Sequence, residues 1–92
     1  MKITVKYIEN SIELVQVKSA QYIGDYAIKI LFSDGYKKLV DFKPFLENSL
    51  YPSIRKYLNE TKFKSYQIVS GNLNWNDYEL IFPIEDLYEG KI

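Results

Sequence analysis

The sequence predicts an α+β fold, a small and mainly antiparallel β-sheet with one or two short helices packed on one face. Three observations predict it. The first half alternates apolar and polar residues at the period of a strand, with turn residues between the runs. Pro44 and Pro52 open a middle stretch whose apolar residues fall at helical spacing. Beyond Phe63 the strand pattern returns, and Pro83 precedes a last apolar cluster.

At the start, Ile3, Val5 and Tyr7 alternate with Lys2, Thr4 and Lys6, and Glu9-Asn10-Ser11 supplies a turn. A second strand run covers Ile12 to Ile23, with a break or bulge where Leu14-Val15 disturbs the alternation. Gly24-Asp25 is expected to turn the chain as a two-residue type II′ loop. The next hairpin runs from Tyr26 to Phe42 around Ser33-Asp34-Gly35, and two registers compete there. A two-residue Asp34-Gly35 loop puts Ile28 opposite Asp41 and Phe32 opposite Lys37. A three-residue loop, with Gly35 left-handed as a bulge, pairs Phe32 with Tyr36, Ile28 with Val40 and Tyr26 with Phe42. The second register gathers the apolar set on one face with only Lys38 out of place, so burial selects it.

Pro44-Phe45-Leu46 reads as a short helical turn, and Pro52 starts a helix over 52 to 59 with Ile54, Tyr57 and Leu58 on one side. Phe63 to Val69 is expected as strand, with Gly71-Asn72 as the turn into Leu73 and Trp75. Tyr78 to Phe82 is a final strand, and Pro83 begins a helical turn presenting Ile84, Leu87 and Tyr88 to the sheet. No linker, repeat or low-complexity tract divides the chain. It reads as one domain over 1–92, with residues 1–14 as an N-terminal strand segment.

Composition narrows the chemistry. Histidine and cysteine are both absent. Ordinary zinc sites, Ser-His and Cys-His nucleophile systems and disulfides therefore go together. No P-loop or dinucleotide fingerprint is present. The reading is a non-enzyme with no cofactor. Twelve basic and twelve acidic residues cancel, and Arg55 is the single arginine, which disfavours tight phosphate recognition. Charge is uneven locally: Arg55, Lys56, Lys62 and Lys64 stand against Glu60, while Asp77, Glu79, Glu85, Asp86 and Glu89 stand against Lys91. No apolar run is long enough to span a membrane and no signal-peptide pattern opens the chain. The cytoplasm is the expected location.

Two further constellations carry chemistry. Asp77 and Glu79, placed on one face of a strand, could chelate a hard cation. Two solvated acids on an edge are the plainer account, so no metal site is assigned. Nine tyrosines, five phenylalanines and Trp75 are the unusual quantity. Most suit core and cross-strand packing. Tyr57, Phe63 and Tyr66 lie among basic residues and could stack single-stranded bases. Tyr51, Trp75, Tyr78 and Tyr88 are candidates for a protein interface.

Phe32-Ser33-Asp34-Gly35, Val40-Asp41-Phe42 with Pro44-Phe45-Leu46, Leu73-Asn74-Trp75, and Pro83 with Leu87-Tyr88 occur in an order that resembles a widespread bacterial family of unknown function. Its pattern is F-x-D-G, V-D-L-x-P-L-L, W and P-x-x-L-Y, and the resemblance covers about Val15 to Glu89. It implies a small sheet with one or two short helices. Many members carry a Pro-Asn-Gly turn after the tryptophan and an Asp-Leu-Asp-Pro run before the final Leu-Tyr. Here Asn76 to Pro83 lacks that glycine and those aspartates, so an acidic role of that run does not carry over. Some members are fused to a helix-turn-helix domain. Others are encoded beside another small protein in a layout resembling a toxin–antitoxin pair, which implies a protein-binding partner.

The functional expectation is therefore a non-enzymatic protein-interaction module, antitoxin-like or homodimeric. It would act through sheet-edge pairing and aromatic burial by the C-terminal segment. A single-stranded nucleic-acid binder using Arg55 to Tyr66 is the alternative, and a carboxylate-based metal protein stands behind it.

Overall fold

The computed structural model describes residues 15–92. The strand expected within residues 1–14 lies outside them. The α+β class is as the sequence predicts, with the strands shared between two antiparallel three-stranded sheets. The first contains β1 (Val17–Gly24), β2 (Ala27–Phe32) and β3 (Lys37–Asp41) in that order. Next come three short helices, α1 (Lys43–Asn48), α2 (Pro52–Arg55) and α3 (Glu60–Phe63), with a 3-10 turn at Lys56–Leu58 between the last two. The second sheet holds β4 (Gln67–Val69), β5 (Asn72–Trp75) and β6 (Leu80–Ile81), and α4 (Ile84–Glu89) follows.

The β2–β3 hairpin takes the three-residue loop. Ile28 pairs with Val40 and Ile30 with Lys38. At the tip the Phe32 N–H donates to the Tyr36 carbonyl at 2.8 Å, and Gly35 sits at φ +92°. A side chain at that angle is strained, which is why glycine belongs there. Ile28, Ile30, Phe32, Val40 and Phe42 are all buried on the inner face, as burial-driven register selection requires. The β1–β2 turn differs from the expected Gly24-Asp25. Its central residues are Asp25 and Tyr26, both with positive φ (51° and 66°), a type I′ geometry that matches strand twist. Tyr26 tolerates it because its ring packs edge-on against Phe63 and its hydroxyl donates to the Leu58 carbonyl. β1 carries two register irregularities, between Val17 and Ser19 and between Tyr22 and Gly24, both later than Leu14-Val15.

In the second half the expected strand from Phe63 begins only at Gln67. Residues 60 to 63 instead form a helical turn, because the Asn59 side chain accepts the Lys62 N–H at 3.1 Å and caps it. Phe63 is thereby turned into the core. The β4–β5 turn is Ser70-Gly71, one residue before the expected position. Three consecutive non-glycine residues, Asn76, Asp77 and Tyr78, are left-handed (φ 51°, 55° and 70°) and join β5 to β6. The wholly buried Asn74 supports them, its side-chain oxygen accepting the Tyr78 N–H at 3.4 Å. Between the sheets lies an aromatic core. Phe42 contacts Phe63, Trp75 and Phe82, and Trp75 also stacks on Phe63. One backbone bond, from the Val17 N–H to the Gly71 carbonyl at 2.9 Å, ties the sheets directly.

Candidate functional site

Two surface features stand out, one polar and one apolar. The polar feature is a cleft of about 500 Å³ lined by Lys56, Tyr57, Lys62, Gln67, Asn76 and Asp77, among others. Beside it one oxygen, Glu79 Oε1, accepts from three donors, two on the 3-10 turn and one on its own β5–β6 turn. The Lys56 ammonium lies at 2.6 Å, the Tyr57 hydroxyl at 2.7 Å and the Asn76 amide at 3.1 Å. These donors hold the Glu79 carboxyl down at about 2, Lys56 contributing most. Tyr57 is pushed up to about 12, chiefly by burial and then by the carboxylate it bonds. The arrangement locks the β5–β6 turn to the 3-10 turn. Its charge is neutralised internally, and the shifts of Glu79 and Tyr57 both run away from neutral pH.

The apolar feature lies at the link between α1 and α2. Ser49 leaves α1 in an extended conformation, Tyr51 precedes α2 in the same conformation, and Pro52 starts that helix. The extended link pushes two neighbouring side chains outward: Leu50 is 89% exposed and Tyr51 70% exposed. Between them and Phe45, Ile54 and Ile92 runs a mainly apolar groove of about 450 Å³. Arg55 holds the link in place by donating to the carbonyls of Glu47 (2.7 Å) and Ser49 (3.3 Å).

The four interface candidates separate. Tyr51 is at the apolar lip. Tyr78 is exposed, on the left-handed turn. Trp75 is core, not surface: it is wholly buried and its indole N–H donates to the Phe63 carbonyl at 2.7 Å. Tyr88 is half-buried against its own chain, its ring on Phe32 and Tyr36 and its hydroxyl donating to Asp34 at 2.7 Å. The expected aromatic burial by the C-terminal segment is thus satisfied within the molecule. Tyr57 and Phe63 are buried and Tyr66 is half-buried, donating to the Ala20 carbonyl, so these rings form no stacking platform. Asp77 and Glu79 sit in a turn rather than on a strand face, and Glu79 already holds Lys56. No third potential ligand joins them among the described residues. Leu50 was missed in the sequence because an isolated leucine before Tyr-Pro carries no periodic signal. Its neighbour Pro52, which fixes the link, was visible.

A two-sheet α+β domain with short helices and an exposed apolar link is the class these features define. Within it, the chain belongs to the family described as protein of unknown function (DUF2442), whose model matches residues 17–92. No curated protein and no solved structure matches the chain. Among the described residues, no helix is long and apolar enough to cross a membrane.

Proposed function

We propose that this domain is a non-enzymatic protein-interaction module that engages a partner protein through the Leu50–Tyr51 link. The carrying observation is the exposure of these two adjacent side chains beside an apolar groove. Burying a leucine or aromatic side chain is worth about 1.5–3 kcal/mol, so a partner that covers the pair gains directly. Tyrosine beside an apolar residue is the composition that anchors protein interfaces. The family resemblance favours an antitoxin-like pairing with a small protein over self-association. The nucleic-acid alternative loses Tyr57 and Phe63 to the core and has Tyr66 only half-exposed, and a cation at Glu79 would have to displace Lys56.

Affinity capture of the protein encoded beside this one, by wild type and by a Leu50→Ser/Tyr51→Ser variant, tests the reading. Wild type is expected to retain the partner and the variant to release it. Equal capture by both would remove the Leu50–Tyr51 surface from consideration, and capture by neither would count against the module itself.

A further inference from the structure

The outer face of the first sheet carries a charge and hydrophobicity pattern that the other described residues leave unmatched. The register places Lys29 of β2 opposite Leu39 of β3, and Leu31 opposite Lys37. On the other side Gln21 faces Lys29 and Ser19 faces Leu31. Residues directly opposite share a face, so lysine and leucine alternate across the centre of this surface. Leu39 is 58% exposed, and Ile23, the extra residue of the bulge before Gly24, is 53% exposed.

Among the described residues Lys18, Lys29 and Lys37 form no ion pair. The acids of the two connecting turns are committed elsewhere. Asp25 pairs with Lys43 at 3.2 Å, while Asp34 accepts from the Tyr88 hydroxyl and the Tyr36 N–H. Asp41, at the far end of β3, accepts the Lys43 N–H. A hollow of about 230 Å³, bordered by Ser19, Gln21, Lys29, Leu31 and Lys37, gives the face relief on the scale of a side chain.

We infer that this face is a second docking surface, for an acidic amphipathic segment of a partner protein. Apolar side chains of that segment cover Leu31 and Leu39, and its carboxylates meet Lys29 and Lys37. Single-stranded nucleic acid fits less well, because the sheet's rings are on the other side: Tyr22 and Tyr26 pack on Phe63, and Phe32 is buried. The surface shares no residue with the Leu50–Tyr51 groove, so the two stand or fall separately.

The test titrates the isotope-labelled full chain with a helical probe peptide that has a leucine stripe flanked by glutamates, followed by amide NMR signals. The expected result is saturable shifts in β2 and β3 that weaken as salt rises. A Lys29→Glu/Lys37→Glu variant should lose about tenfold or more in affinity with an unchanged unfolding midpoint. Leu50→Ser/Tyr51→Ser should bind the probe like wild type. Shifts centred elsewhere, equal binding of a lysine-for-glutamate peptide, or undiminished binding by the charge-reversed variant would overturn the inference. Tighter binding of an oligouridine strand or of phosphatidylglycerol vesicles would overturn it too.

Discussion

The two sheets solve the same problem by different means. The first is built from strands of five to eight residues with long runs of register. Its inner face is apolar apart from Lys38, while its outer face mixes polar residues with Leu31 and the exposed Leu39. The second has strands of only two to four residues. Strands that short hold little ladder of their own, so tethers from distant residues position them. Trp75 is tied to Phe63 and Glu79 to Tyr57 and Lys56, and the local Tyr78–Asn74 bond holds the turn between β5 and β6. Local pattern specifies the first sheet, and side-chain anchoring specifies the second.

The largest expected effect comes from removing the main anchor of the second sheet. Trp75→Ala empties the centre of the aromatic core and should cost about 3–5 kcal/mol, read from the denaturant midpoint. The next break is the Glu79 tether. Its folded value of about 2 lies below the ordinary 4.5, so its stabilisation is complete above 4.5 and is lost as pH falls through about 2. Wild type should therefore lose stability across that window more steeply than Glu79→Gln, and their midpoints should converge at its acid end. Gly35→Ala sharpens the other side of the comparison. The added Cβ meets no atom within 4 Å, yet φ stays positive, so a cost of about 1–2 kcal/mol is expected from backbone strain alone. Smallest of all, Leu50→Ser/Tyr51→Ser should change stability by no more than about 0.5 kcal/mol, since both side chains already face solvent.

The same contrast explains what could be read from residues alone. The β2–β3 register was legible because a one-residue slip would have exposed Ile28, Ile30 and Phe32 together. The α4 turn was legible from Pro83 and the spacing of Ile84, Leu87 and Tyr88. Residues 60 to 63 were not, because a four-residue helix is too short to show a period and its cap, Asn59, is a single side chain. Nor was the left-handed run at Asn76–Tyr78, which contains no glycine and depends on a buried Asn74. The Glu79 cluster joins residues 22 and 23 positions apart, beyond the reach of local spacing. Of the interface candidates, Tyr51 and Tyr78 kept their exposure. Trp75 went to the core because only it offered both the area and the N–H that the Phe63 carbonyl accepts.

The most direct test of the proposed interaction is the solution mass, measured by light scattering at micromolar concentration, of this protein mixed with a candidate small protein encoded beside it. Wild type should give the summed mass of the two chains, and Leu50→Ser/Tyr51→Ser, equally folded, the masses of separate ones. A double variant that assembles as fully as wild type, or a wild type that stays a lone monomer in every mixture, would contradict it.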